Sequence, residues 1–171
     1  MPRLRSVFLA CGLVAAITGA SAAGAAQRAP QASAAPDPEG SAGIVRLGHA
    51  RPLRTTNGRI VAVTVLGVHF RHRNYRFVDV HLRYALRRGT HYRLDPLREA
   101  QLLDGSGNHV VALAGGTAKP LLKHSTLRRG HPRTGWVTFT LPTASGATRV
   151  LVTLDSGMGP TTGQWRIPAR A

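Results

Sequence analysis

Gly135-Trp136-Val137-Thr138-Phe139-Thr140-Leu141-Pro142 is the stretch that decides the fold class. Between its glycine and its proline, Val137, Phe139 and Leu141 fall on one side, with Trp136, Thr138 and Thr140 on the other. A period of two turns successive side chains to opposite faces of an extended chain, so the segment reads as a half-buried strand. The same rhythm recurs upstream. Over residues 59–70, Val61, Val63 and Val65 share one face, with Ile60, Ala62 and Thr64 on the other. Over 75–84, Val78, Val80, Leu82 and Tyr84 oppose Phe77, Asp79, His81 and Arg83. Shorter β-branched runs lie at 44–47, 97–103, 110–113, 121–127, 148–154 and 164–167. Thr56-Asn57-Gly58 and Asp104-Gly105-Ser106-Gly107-Asn108 supply turn chemistry between them. Residues 94–100 hold a turn of helix at most. The expectation is an all-β antiparallel sandwich of about 7–8 strands. Val63, Val80, Leu102, Val137, Phe139 and Val152 are expected in its core.

Upstream of the β-rich part the composition changes twice. Met1-Pro2-Arg3-Leu4-Arg5 is followed by an apolar run over 7–20 and then by small residues. A positive start, a short apolar segment and an A-x-A site form a secretory leader. Ala20-Ser21-Ala22 and Ala23-Gly24-Ala25 both fit the cleavage pattern. Residues 1–25 are therefore assigned to a signal peptide. The alternative is an uncleaved membrane anchor, since 7–26 is long enough to span a bilayer. Cys11, the only cysteine, lies inside the apolar run, so cleavage leaves a chain that depends on no disulfide. Residues 26–42, rich in Ala, Pro, Gln, Ser and Gly without apolar period, read as a disordered tether. Residues 43–168 are one domain's worth of chain.

Four segments together resemble a known pattern: Val78-Asp79-Val80, Leu102-Leu103-Asp104 with Gly107, Leu127-Arg128-Arg129-Gly130, and Gly135 through Pro142. They are similar to a family of secreted bacterial immunoglobulin-like domains of unknown function. Its architecture is related to that of small immunogenic β-sandwich proteins secreted by mycobacteria. The resemblance covers about residues 43–155. It departs at Ala100, where an aromatic core residue is usual, and at Ala85-Leu86-Arg87-Arg88, where the family's strand usually ends near an Asn. It implies an immunoglobulin-like sandwich and lends no catalytic residue.

The chemistry-bearing residues do not assemble into a familiar motif. Eight histidines invite a metal reading, with His69 and His72 three apart and His81 on the next strand. The mature chain has no cysteine, there is no H-E-x-x-H, and the surrounding arginines repel a cation. No metal and no cofactor are expected. Ser106 or Ser125 with Asp79 or Asp104 could supply parts of a nucleophilic site, but no G-x-S-x-G elbow is present. Seven carboxylates make a paired-acid glycosidase site a poor fit. Gly115-Gly116-Thr117-Ala118-Lys119 lacks the Gly before and the Ser or Thr after the lysine that a phosphate loop needs. A non-catalytic role is expected. Trp136 and Phe77 have two readings: an exposed aromatic patch, or cover by an edge segment such as the tail at Trp165.

Charge is the second strong signal. Lys plus Arg number 23 against 7 Asp plus Glu, and 21 of the basic residues are arginine. The formal charge of +16 falls to about +14 once Arg3 and Arg5 leave with a cleaved leader. A GC-rich coding bias and attraction to polyanions both account for this. Taking consecutive strands as alternating in direction, Arg71, Arg73, Arg128, Arg129 and Arg133 are expected on one loop rim, a candidate anion-binding site. The functional expectation is an exported interaction module of the cell envelope. Its partner is an envelope protein or, alternatively, an anionic polymer such as a wall polymer, acidic lipid or free nucleic acid. No sequence-specific nucleic-acid recognition is expected, and membrane contact is expected only through an uncleaved leader.

Overall fold

The alternation at 136–141 forms the strand it predicts, and the sheet built around it explains where every other strand lies. A computed structural model describes residues 43–72, 76–141 and 146–168. The assigned leader and tether, residues 1–42, lie outside the described residues, as does Arg73. In chain order the elements are β1 (Val45–Arg46), β2 (Ala50–Arg54), β3 (Ile60–His72), β4 (Arg76–Arg88), β5 (His91–Leu94) and α1 (Pro96–Glu99). They continue as β6 (Ala100–Asp104), β7 (His109–Leu113), β8 (Ser125–Arg128), β9 (Arg133–Leu141), β10 (Ala147–Thr153) and β11 (Thr162–Arg166). Among the described residues the fold is all-β, with one helical turn at α1 and a second short turn at Leu154–Gly157 in which Asp155 and Ser156 take left-handed backbone angles.

Nine strands form one curled sheet in the order β1-β11-β10-β6-β7-β9-β4-β3-β2, and β5 pairs with β8 separately. Strand β7 makes the curl possible. Its first residues pair with β6 (Gln101↔Val111) and its last with β9 (Ala112↔Phe139). One strand thus belongs to both layers. The two free edges come back together around residues 48–54. Gly48 N donates to Val65 O (2.7 Å), and Arg54 N to the Thr161 hydroxyl (2.8 Å). The Trp165 indole N–H donates to His49 O (2.9 Å).

All six residues expected in the core are buried: Val63, Val80, Leu102, Val137, Phe139 and Val152. The period-two faces are as the sequence predicts them, because Val61, Val65, Val78, Leu82 and Tyr84 are also inaccessible. Ala100, where an aromatic residue was the expected pattern, is fully buried without one.

The count of 7–8 strands is corrected to eleven among the described residues. Two of the added strands carry signals too weak for a sequence reading. Strand β2, Ala-Arg-Pro-Leu-Arg, contains a proline and buries only Leu53. It is tolerated because it is an edge strand, where a missing N–H costs nothing to a ladder. Strand β5, His-Tyr-Arg-Leu, alternates with Tyr92 and Leu94 inward but is only four residues long. Residues 121–127 were expected as one weak strand. Only Ser125–Arg128 is one, and Leu121 makes a single parallel bridge to Trp136. Residues 164–167 were expected as a terminal edge, but β11 lies between β10 and β1.

Candidate anion-binding surface

Strand register places the arginines. Antiparallel β4 and β9 pair Tyr84 with Arg133 at one end and Arg76 with Leu141 at the other. Arg71 sits opposite Phe77, near the Leu141 end. At about 3.3 Å per residue, Arg71 and Arg133 are therefore separated by roughly 25 Å along the sheet. The expected rim of Arg71, Arg73, Arg128, Arg129 and Arg133 is not one surface: Arg128, Arg129 and Arg133 share an end, and Arg71 lies at the other. The cause is β5. One strand more than the sequence reading counted lies between the two loops, and each added strand reverses the chain once more.

The end that holds Arg133 gathers other arginines instead. His91 on β5 pairs with Arg128 on β8, so the β4–β5 and β8–β9 turns are neighbours. The β8–β9 turn is tight, with His131 N donating to Arg128 O (3.1 Å). It needs Gly130 at φ 80°, a conformation costly for any residue with a Cβ. Arg129 donates from Nη2 to Arg87 O (2.9 Å), which ties this turn to the end of β4. A guanidinium carries five N–H donors, so Arg129 keeps most of its capacity while anchored. Arg87, Arg88, Arg128, Arg129 and Arg133 are all exposed. A shallow polar depression at the β8–β9 turn is lined by Thr126, Arg128, Gly130, His131, Pro132 and Arg133. None of these five arginines forms an ion pair among the described residues.

The acids explain why. Each of the five carboxylates in the described residues is engaged elsewhere. Asp104 closes its own turn, accepting from Ser106 N and Asn108 N, both at 2.8 Å. Those bonds, Asn108 N first, hold its carboxyl below the usual range. Ser106, a candidate nucleophile from the sequence, thus uses its backbone to build a hairpin. Asp95 faces Arg98 (3.8 Å) and His124 (3.9 Å). Asp155 accepts from Thr56 N (2.6 Å) and from its hydroxyl (2.8 Å). Thr56 belongs to the β2–β3 turn, on the side of β4 away from β9. Asp79 and Glu99 are buried.

Arg71 is a structural residue. Its Nε meets Asp79 Oδ2 at 2.7 Å and its Nη1 donates to the Thr117 hydroxyl at 2.5 Å. The Thr138 hydroxyl donates to Asp79 Oδ1 at 2.5 Å. Asp79 points to the outer face of β4, as the alternation predicts, yet it has no exposed surface because the chain after β7 folds across it. That cover is close: a methyl group at Gly116 would stand 2.0 Å from the Thr138 hydroxyl oxygen.

The two tryptophans divide differently from either expectation. Trp165 is fully buried in the core and does not reach Trp136. Trp136 is half-buried and stacks on His81, with ring centroids 4.4 Å apart and planes 9° from parallel. Its other neighbours form a cleft of about 310 Å³.

A buried polar cluster lies beneath α1. The Tyr92 hydroxyl donates to Glu99 Oε1 (2.5 Å) and accepts from Asp155 N (2.8 Å). Glu99 Oε2 and the Tyr84 hydroxyl are buried without a partner among the described residues. Burial pushes the Glu99 carboxyl up from 4.5 to about 7, against the opposing pull of the Tyr92 hydrogen bond. A carboxyl with a folded pKa above its unfolded one binds more protons when folded, so its stabilising effect is complete in acid and fades as pH rises. Between pH 4.5 and 7 the wild-type protein should lose about 3 kcal/mol relative to Glu99→Gln. Urea unfolding of both proteins at several pH values checks this, and parallel stability curves would contradict it.

No family model matches the chain, and no curated protein matches it. Among solved structures, the chain is similar in fold to MPT63, a secreted protein from Mycobacterium tuberculosis determined at 1.5 Å. The TM-score is 0.58 at 16% identity, over 74% of this chain and 100% of that one. At that identity the likeness establishes a shared β fold and no more.

Proposed function

We propose that this protein is an exported, non-catalytic binding module of the bacterial cell envelope, an immunoglobulin-like β-sandwich whose ligand is an anionic polymer. The observation that carries this reading is the arginine rim at the β4–β5 and β8–β9 turns: Arg87, Arg88, Arg128, Arg129 and Arg133, exposed and, among the described residues, without acidic partners. Arginine forks match phosphate and carboxylate oxygens in pairs. The leader pattern in residues 1–25 supports export, and the structural neighbour is itself a secreted protein. Among the described residues no helix is long and apolar enough to cross a membrane.

Titration with long-chain polyphosphate or poly(glycerol phosphate) at rising salt tests the reading. Each phosphate neutralised by an arginine contributes about 0.7 to the log–log salt slope for a single-stranded polyanion. Replacing Arg128, Arg129 and Arg133 together by alanine should lower that slope by about 2 and weaken binding at low salt. Affinity and slope unchanged by the triple substitution would overturn the proposal.

A further inference from the structure

The cleft beside Trp136 differs in chemistry from the arginine rim. It exists because two different segments share the edge of β9. Strand β7 pairs with β9 only at Phe139 and Thr138. Toward the start of β9 the partner is the segment at 120–122: Trp136 N donates to Pro120 O and Leu122 N to Trp136 O, both at 2.9 Å. The approach is close enough that a Cβ at Gly135 would meet Leu122 N at 2.7 Å, so only glycine fits there. The chain swings away from the sheet between these two pairings, and α1 closes the far side.

The resulting walls are apolar. Leu97, Leu113, Leu121, Leu122 and Trp136 line the cleft, and Leu97 and Leu113 remain 37% and 38% exposed. His81 stacks against the Trp136 ring. Burial lowers the pKa of the His81 imidazole, which disfavours a charge behind that wall. The lip is different. Lys123 is exposed and forms no ion pair among the described residues. Its neighbour His124 is already engaged, taking a hydrogen bond from Arg93 Nε (2.9 Å) and facing Asp95 (3.9 Å). Asp95, the acid of the lip, is shared between His124 and Arg98. Among the described residues that line the recess, Lys123 is thus the one cation without an ion-pair partner.

We propose that this cleft binds a medium-chain fatty carboxylate, with the chain between Leu97, Leu113 and Trp136 and the head group at Lys123. A single free ammonium complements a monoanion. At about 310 Å³ the recess lies at the small end of the ~300–1,000 Å³ typical of ligand pockets, which suits one short tail over a two-tailed lipid.

Titration with sodium decanoate below its micellar concentration, followed by the indole N–H resonances of both tryptophans, tests the assignment. Decanoate should saturate with 1:1 stoichiometry, move the Trp136 resonance and leave that of Trp165 in place. Decylamine, with the same tail and the opposite charge, should bind at least fivefold more weakly, and Lys123→Glu should reverse that order. Leu113→Asp should weaken decanoate at least fivefold. If that variant loses the native Trp165 resonance, Leu97→Asp on the α1 wall takes its place. The protein lacking Arg128, Arg129 and Arg133 should bind decanoate as the wild type does, so a failed arginine rim leaves this result unaffected. The proposal is overturned if decanoate gives no saturable shift, if decylamine binds equally well, or if the wall and lip substitutions have no effect. Loss of decanoate binding in the triple-arginine variant would overturn it too, by placing the head group at the rim.

Discussion

Replacing Arg71 by alanine is expected to cost about 3–5 kcal/mol of stability while leaving the affinity for polyphosphate nearly unchanged. The asymmetry of the pair sets the size of the effect. Asp79 has no exposed surface, whereas the Arg71 side chain is 37% exposed. Removing the arginine strands a carboxylate that water cannot reach, with only the Thr138 hydroxyl left to solvate it. Removing the carboxylate instead leaves a guanidinium that can turn outward and hydrate. Asp79→Asn, which keeps an acceptor for Thr138, should therefore cost less than Arg71→Ala. Chemical denaturation of the two single variants and the double variant measures the coupling. Equal small losses in both, within about 0.5 kcal/mol of wild type, would mean that the pair is a surface contact. Retained polyphosphate binding in Arg71→Ala separates this structural arginine from those of the rim.

The two tryptophans should respond very differently to truncation. Trp165→Ala is expected to destabilise the domain by about 3–5 kcal/mol. Its ring is fully buried and lies over Gly163, where an added Cβ would come within 2.5 Å of the indole. The substitution also removes the donor to His49 O, one of the bonds that join the two edges of the curled sheet. Trp136→Ala removes a half-exposed ring stacked on a histidine and should cost about 1 kcal/mol, in the range of an aromatic pair. Thermal unfolding of the two variants decides between them, and a larger loss for Trp136→Ala would mean that Trp136, not Trp165, is the core ring.

The arginine rim shows how close a sequence reading can come and still misplace a site. The turns at 128–133 and the charge they carry were visible in the sequence. Their partners were not. Arg128, Arg129 and Arg133 share an end with Arg87 and Arg88 because His91–Leu94 forms a four-residue strand that returns the chain to β8, and Arg129 bonds the Arg87 carbonyl. Four residues carry too little periodicity to stand out, and without that strand the parity of every later connection is wrong. The missed arginines at 87 and 88 lay in a segment already singled out as a departure from the family pattern. They lie in the last residues of β4, which runs on to Arg88.

Period-two patterning in 59–65, 75–84 and 136–141 was enough to determine the all-β class, the inward faces and the core residues there; a bulge after Val65 turns Val68 and Phe70 inward instead. This is because those facts depend only on which side of an extended chain each side chain leaves. Composition alone determined the excess of arginine over acid. What tertiary structure decided was contact between distant segments: β7 shared by two layers, Asp79 buried beneath the loop before Leu121, Trp165 drawn into the core, and a recess where two segments divide one strand edge. Each of these depends on how strands are ordered across the sheet. Local alternation is identical for every ordering that keeps the same faces buried, so the sequence pattern leaves that choice open and only the closed packing of the whole domain makes it.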